Sequence, residues 1–93
     1  AFAAQVLCTL AAWESATYCR ERLGLSQALG AIDRDKLNVV GGSLALGHPF
    51  AATGARIIAS AAQLLSEAGG GRVLITACAA GGMGVAMVLE RKA

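Results

Sequence analysis

The chain has 93 residues, 56% of them apolar and 15% charged, and a net charge of +2. That length bounds one small domain, and the dispersed Lys and Arg, with no aromatic residues between them, exclude a nucleic-acid-binding stripe. No apolar run approaches the ~18 residues of a membrane span, and no basic segment precedes the apolar N-terminus as in a signal peptide.

Apolar residues exceed the usual ~45–50% and charged residues fall short of the usual ~25%, so much of the surface is expected to dock onto something beyond these residues. Cys8, Cys19 and Cys78 are odd in number and widely spaced. Such cysteines suit a reduced, intracellular chain rather than a disulfide framework, and no spacing suggests a metal site.

In chain order, Phe2, Val6, Leu10, Trp13 and Ala16 recur at helical spacing and predict one amphipathic helix over 1–23. Arg20 and Arg22 in its last turn, with Gly24 behind them, supply the stop. Residues 25–36 read as a loop or short turn. The stretch 37–46, LNVVGGSLAL, predicts a strand with a bulge at Gly41-Gly42. His48-Pro49 ends that strand, and Pro49 suits the first turn of a second helix. The apolar face of this helix runs through Ile57, Ile58, Ala61, Leu64 and Leu65 to a terminator at Gly69–Gly71. Two strands, 72–78 and 84–90, joined by AAGGM, predict an antiparallel pair. The order helix–strand–helix–strand–strand predicts an α/β layered fold with a sheet packed against helices.

The only histidine, His48, stands where the predicted strand gives way to a helix, and Cys78 ends another strand ahead of small residues at 79–82. Ordinary structural roles are the commoner fate of such residues, a lone Cys being often a small buried hydrophobe. Their setting points elsewhere. Strand ends of α/β sheets are where ligands bind, and small residues there let backbone N–H groups approach a ligand oxygen. Two such groups over one pocket could run thioester exchange or carbon–carbon bond formation beside a thioester, the thiol moving a proton at carbon and the imidazole activating a second thiol. A self-contained Cys–His hydrolase with Cys78 as nucleophile fits the same two side chains.

NVVGGSLALGHPFAATGAR (38–56) and TACAAGGMGVAMVLE (76–90) resemble the two C-terminal signatures of the thiolases, and AFAAQ (1–5) resembles the helix start behind that family's Asn-Glu or His-Glu dipeptide. The likeness covers nearly the whole chain in order, least distinctively over 14–36. HPFAATGAR and CAAGG are closer in wording to the 3-ketoacyl-CoA thiolases of fatty-acid oxidation than to biosynthetic acetoacetyl-CoA enzymes. The resemblance implies the C-terminal half of a layered αβαβα fold, a mixed sheet packed between helices, spread over residues 1–93. It implies an enzyme that cleaves 3-ketoacyl-CoA with CoA, or runs the reverse Claisen condensation. Coenzyme A is then a co-substrate, and no cofactor and no metal is expected.

By position, the resemblance assigns His48 the activation of the nucleophilic cysteine and a share in holding the thioester oxygen of the second acyl-CoA. Cys78 becomes the acid/base at the α-carbon, and Ala80 supplies a backbone N–H to an oxyanion hole, with alanine where the family has glycine. Gly47, Pro49, Gly81 and Gly82 shape the pocket, as does the Gly41-Gly42 pair; ordinary bulge and hairpin chemistry explains those glycines equally well. Cys8 and Cys19 match no signature and read as structural. The family's acylated nucleophile and most of its CoA contacts lie outside these residues, so the chain reads as a fragment, inactive alone. Its expected partners are acyl-CoA and CoA, an N-terminal thiolase domain, and either a second copy or a trifunctional-type complex in which it is a β-subunit. Nucleic acid and a transmembrane segment are not expected. The expected setting is intracellular, the bacterial cytoplasm ahead of the mitochondrion. A non-catalytic thiolase-like lipid- or CoA-binding or scaffold protein is the alternative.

Overall fold

A run of Ala and Leu favours helix from the first residues onward, and the computed structural model, which describes residues 1–93, begins with helix α1 (Ala3–Glu14). The single helix expected over 1–23 is instead two. Ser15 leaves helical geometry (φ −85°, ψ 112°), and its Oγ accepts the Tyr18 N–H at 3.1 Å as the N-cap of α2 (Ala16–Leu23). A serine hydroxyl that bonds nearby backbone competes with the helix it sits in. The expected stop holds: Gly24 takes a left-handed φ of 67°, which glycine adopts without a Cβ penalty.

The break lets α1 and α2 pack on each other, burying Leu10 and Cys19. Cys19 is 0% exposed, and its thiol donates to the carbonyls of Ala12 and Trp13 at 3.5 and 3.6 Å, so it is structural as expected, whereas Cys8 is exposed. The following loop is tied back by the Gly30 N–H on the Trp13 carbonyl, and it contains a 3₁₀ turn at Arg34–Lys36 capped by Asp33.

The strand expected over 37–46 does not form. Asn38 sits at φ 51°, the Gly41 N–H returns to the Asn38 carbonyl at 2.8 Å, and a helical turn α3 (Ser43–Leu46) follows, with Gly42 accepting from Ala45 and Leu46. Val39 and Val40 favour extended backbone, but a strand gains little without a neighbour to pair its peptide groups. A tight turn satisfies them locally instead. The Asn38 side chain occupies the space that a Cβ on Gly42 would need, 3.0 Å away.

Residues Ala1–Leu46 form one compact unit and Gly47–Ala93 a second. The second is a helix on a hairpin. Helix α4 (Thr53–Glu67) starts later than Pro49 implied: the Pro49 carbonyl accepts from both Ala52 and Thr53, so Pro49 opens the turn before the helix rather than its first turn. Thr53, Ala61 and Leu65 are buried and Ile57 half-buried, an i, i+4 stripe. Ile58, expected on the apolar face, lies outside the stripe and is exposed.

Strands β1 (Gly71–Ala79) and β2 (Met83–Arg91) form the expected antiparallel pair, in register from Gly71↔Arg91 to Ala79↔Met83. The α/β expectation therefore holds, carried here by helices and one two-stranded sheet. The Ala80-Gly81-Gly82 link uses positive φ at both glycines, 84° and 74°, values that suit glycine and twist the chain back in a short hairpin. On β1, Val73, Ile75 and Ala77 are the covered positions, and α4 packs there. Burying a side chain such as Leu65 or Ile75 stabilises by about 1.5–3 kcal/mol each. On the other face Leu74 and Val88 pair across the strands and remain exposed, and on the α4 side Val85 and Met83, opposite Ala77 and Ala79 near the hairpin tip, are exposed as well. That agrees with an apolar excess beyond what this chain buries.

Two substitutions test these local accounts. Ser15→Ala removes the α2 cap and is expected to lower unfolding stability by about 1 kcal/mol in urea titration. Ala51 holds a left-handed φ of 62° ahead of α4. Relief of about 1–2 kcal/mol of steric cost outweighs about 0.4–1 kcal/mol of added chain entropy in the unfolded state. Ala51→Gly should therefore raise the melting temperature; a lowered one contradicts the strain.

Candidate functional site

His48 is carried on a turn between α3 and α4, not at a strand end, and its ring is exposed. Gly47 precedes it at φ 90°, and its carbonyl accepts from Arg56 Nη2 at 3.5 Å, which ties the approach to the turn back to α4. Pro49 anchors the other side through the two backbone N–H groups, of Ala52 and Thr53, that donate to its carbonyl. Between these ties the imidazole is fixed by one polar contact, His48 Nδ1 to Thr53 Oγ1 at 2.7 Å. The Phe50 ring stands edge-on to it at 5.4 Å and is itself 89% exposed. Nε2 has no partner within this unit and is the ring nitrogen free to meet another group.

Thr53 is the residue that sequence reasoning missed. It is 5% exposed, the one buried polar side chain of the chain, and its Oγ1 reaches both His48 Nδ1 and, at 3.2 Å, the Pro49 carbonyl. The signal was present in the spacing: residue 53 is i+5 from His48 and heads the 53, 57, 61, 65 stripe of α4. An apolar-face count that skips threonine passes over it.

Cys78 lies one residue before the end of β1 and is exposed. Strand alternation puts it, with Leu74 and Thr76, on the face away from α4. Its cross-strand partner is Gly84, so no side chain of β2 stands beside the thiol. Ala80, Gly81 and Gly82 form the adjacent turn, all three exposed, so their backbone is open to a ligand.

The chain thus brings the site residues together in two groups within the Gly47–Ala93 unit: Gly47, His48, Pro49 and Thr53 before α4, and Cys78 with Ala80–Gly82 at the hairpin tip. No hydrogen bond joins the groups. The topology sets them at one end. The link Ala68–Gly70 turns the chain directly from α4 into β1, which packs back along the helix. A 15-residue helix is about 22 Å long and a nine-residue strand about 30 Å, so the start of α4 and the end of β1 lie on the same side of the unit. An imidazole and a thiol presented there can accept and donate protons, and the glycine turn can offer N–H donors to an oxygen. Gly41 and Gly42 belong to the turn before α3 in the first unit. No helix is long and apolar enough to cross a membrane.

Residues 1–91 match the family described as Thiolase, C-terminal domain. Among curated relatives, a 3-ketoacyl-CoA thiolase of Aeromonas salmonicida (strain A449) is 62% identical over 90 residues, 97% of this chain and 21% of the relative. The 3-ketoacyl-CoA thiolases of Yersinia pestis (strain Pestoides F) and Yersinia pseudotuberculosis (serotype O:1b, strain IP 31758) are 59% identical over the same share. The chain therefore spans about a fifth, 21%, of the length of these relatives. With a match over 91 residues, this chain belongs to the thiolase family as a thiolase C-terminal domain.

Proposed function

We propose that this chain is the C-terminal part of a 3-ketoacyl-CoA thiolase, an acyltransferase that splits 3-ketoacyl-CoA with CoA or condenses acyl groups in reverse. The observation that carries the reading is the retention of one imidazole and one thiol, His48 and Cys78, at the same end of one compact unit. The 62% identity to a protein named 3-ketoacyl-CoA thiolase supports the choice of substrate.

The division of labour follows from the two groups. His48 Nε2 takes the proton of a nucleophilic cysteine outside these residues, and the resulting thiolate attacks the C3 carbonyl of 3-ketoacyl-CoA. The oxyanion collapses, the C2–C3 bond breaks, and its electron pair goes to the enolate of acetyl-CoA. Cys78 Sγ–H delivers its proton to C2. The incoming CoA thiol gives its proton to the Cys78 thiolate and attacks the acyl-enzyme, and the proton on His48 returns to the departing cysteine. The sum is 3-ketoacyl-CoA plus CoA going to acyl-CoA plus acetyl-CoA. Protonated His48 and the Ala80 N–H are donors for the oxygens that gain charge, each worth about 3 kcal/mol in a site without water.

This reading places the protein in fatty-acid β-oxidation, with an N-terminal thiolase domain completing the site and an oligomer or a trifunctional-type complex as its assembly. The bacterial cytoplasm is its proposed setting. In the full-length enzyme, Cys78→Ala should lower deuterium exchange at C2 of acetyl-CoA by about 10²–10⁴-fold while the nucleophile still acylates. His48→Ala should lower acylation itself by a comparable factor. Normal acylation in both variants, followed by mass spectrometry of the trapped acyl-enzyme, would overturn the assignment. Acyl label appearing on Cys78 would make it the nucleophile instead.

A further inference from the structure

We propose that Thr53 is a positioning residue that sets the tautomer of His48, holding Nδ1 protonated and leaving Nε2 as the proton acceptor; this rests on the reading of His48 as the base. Thr53 has one hydroxyl proton and two neighbours, the Pro49 carbonyl at 3.2 Å and His48 Nδ1 at 2.7 Å. The carbonyl can only accept. With the proton directed to Pro49, the Thr53 oxygen presents a lone pair to Nδ1–H, and both contacts are hydrogen bonds. With the proton directed to Nδ1, the hydroxyl and carbonyl oxygens stand 3.2 Å apart with no proton between them, and their like partial charges repel. The first arrangement is the one that fits.

Its placement gives the contact rigidity. Thr53 heads the buried stripe of α4, and its own N–H is fixed on the Pro49 carbonyl, so neither end of the hydroxyl relay moves without disturbing the helix start. Proton uptake at Nε2 then needs no rearrangement, because the Nδ1–H already donates as it must in the imidazolium. The opposite tautomer would protonate Nε2 in the resting state and leave no acceptor for a thiol.

The test uses full-length enzyme with ¹⁵N-labelled histidine, the His48 signals being identified by their loss in His48→Gln. Wild type, at a pH where the ring is neutral, should show a pyrrole-type nitrogen at Nδ1 and a pyridine-type nitrogen at Nε2; the reverse assignment overturns the proposal whatever the variants do. Thr53→Val keeps the shape and removes the hydroxyl. It should shift His48 toward the Nε2–H tautomer and slow acylation about tenfold with KM for acyl-CoA unchanged, the effect of one hydrogen bond. Thr53→Ser should restore both readouts to within about twofold of wild type. A Thr53→Val enzyme with wild-type tautomer and rate overturns the proposal alone. A His48→Gln enzyme that acylates at the wild-type rate removes the base assignment on which it stands.

Discussion

The Gly47–Ala93 unit depends on one packed stripe, Thr53, Ala61 and Leu65 of α4 laid on the Val73, Ile75 and Ala77 face of β1. Side chains at i and i+4 form a straight row on a helix, and alternate residues form a row on a strand, so two such rows can pack along their whole length. The direct turn from helix into strand makes the rows run in opposite directions. That one constraint sends the start of α4 and the tip of the hairpin to the same side. It also decides which β1 residues are covered, and therefore that Cys78, two residues beyond Thr76 on the other row, stays uncovered.

The same packing leaves the hairpin with two unlike faces. One helix covers the Val73, Ile75 and Ala77 side, while Leu74, Ala86 and Val88 form an apolar surface on the other, closed at one end by the Arg72–Glu90 pair at 2.8 Å. That ion pair is solvent-exposed and contributes at most about 1 kcal/mol. Exposed apolar surface of this kind marks a site of contact. In the proposed reading, the remainder of a protein about five times as long lies against it, and the Cys78 thiol on the same face would then be enclosed with its substrate.

Where the sequence was legible, one local interaction decided the outcome. The hairpin, the Gly24 stop and the end of α4 each rest on a glycine, or a periodic run beside one, and their physics lies within a few residues. It misled where two local preferences competed. Trp13 and Ala16 continue the apolar period of the first helix, yet the Ser15 hydroxyl between them caps a new one. Val39 and Val40 favour extended backbone, yet Asn38 and Gly41 close a turn that satisfies the peptide groups without a partner strand. His48 and Cys78 could be picked out as the two reactive side chains. Their chemistry could not be completed, because the group that holds the imidazole is a threonine in a stripe of aliphatic residues, and burial alone distinguishes it.

A hydroxyl in that position has a chemical consequence that a carboxylate would not. A carboxylate on Nδ1 orients the ring and also places a full negative charge beside it, which favours the imidazolium and holds the proton. The Thr53 hydroxyl fixes the same nitrogen with a dipole. A base that must accept a proton from a thiol and return it within one turnover is served by orientation without that charge. Thr53 is 5% exposed and its oxygen meets Nδ1 at 2.7 Å, which leaves Nε2 as the ring's point of proton exchange. Burial of one small polar side chain at the head of α4 therefore links the packing of the unit to the direction in which its imidazole can work.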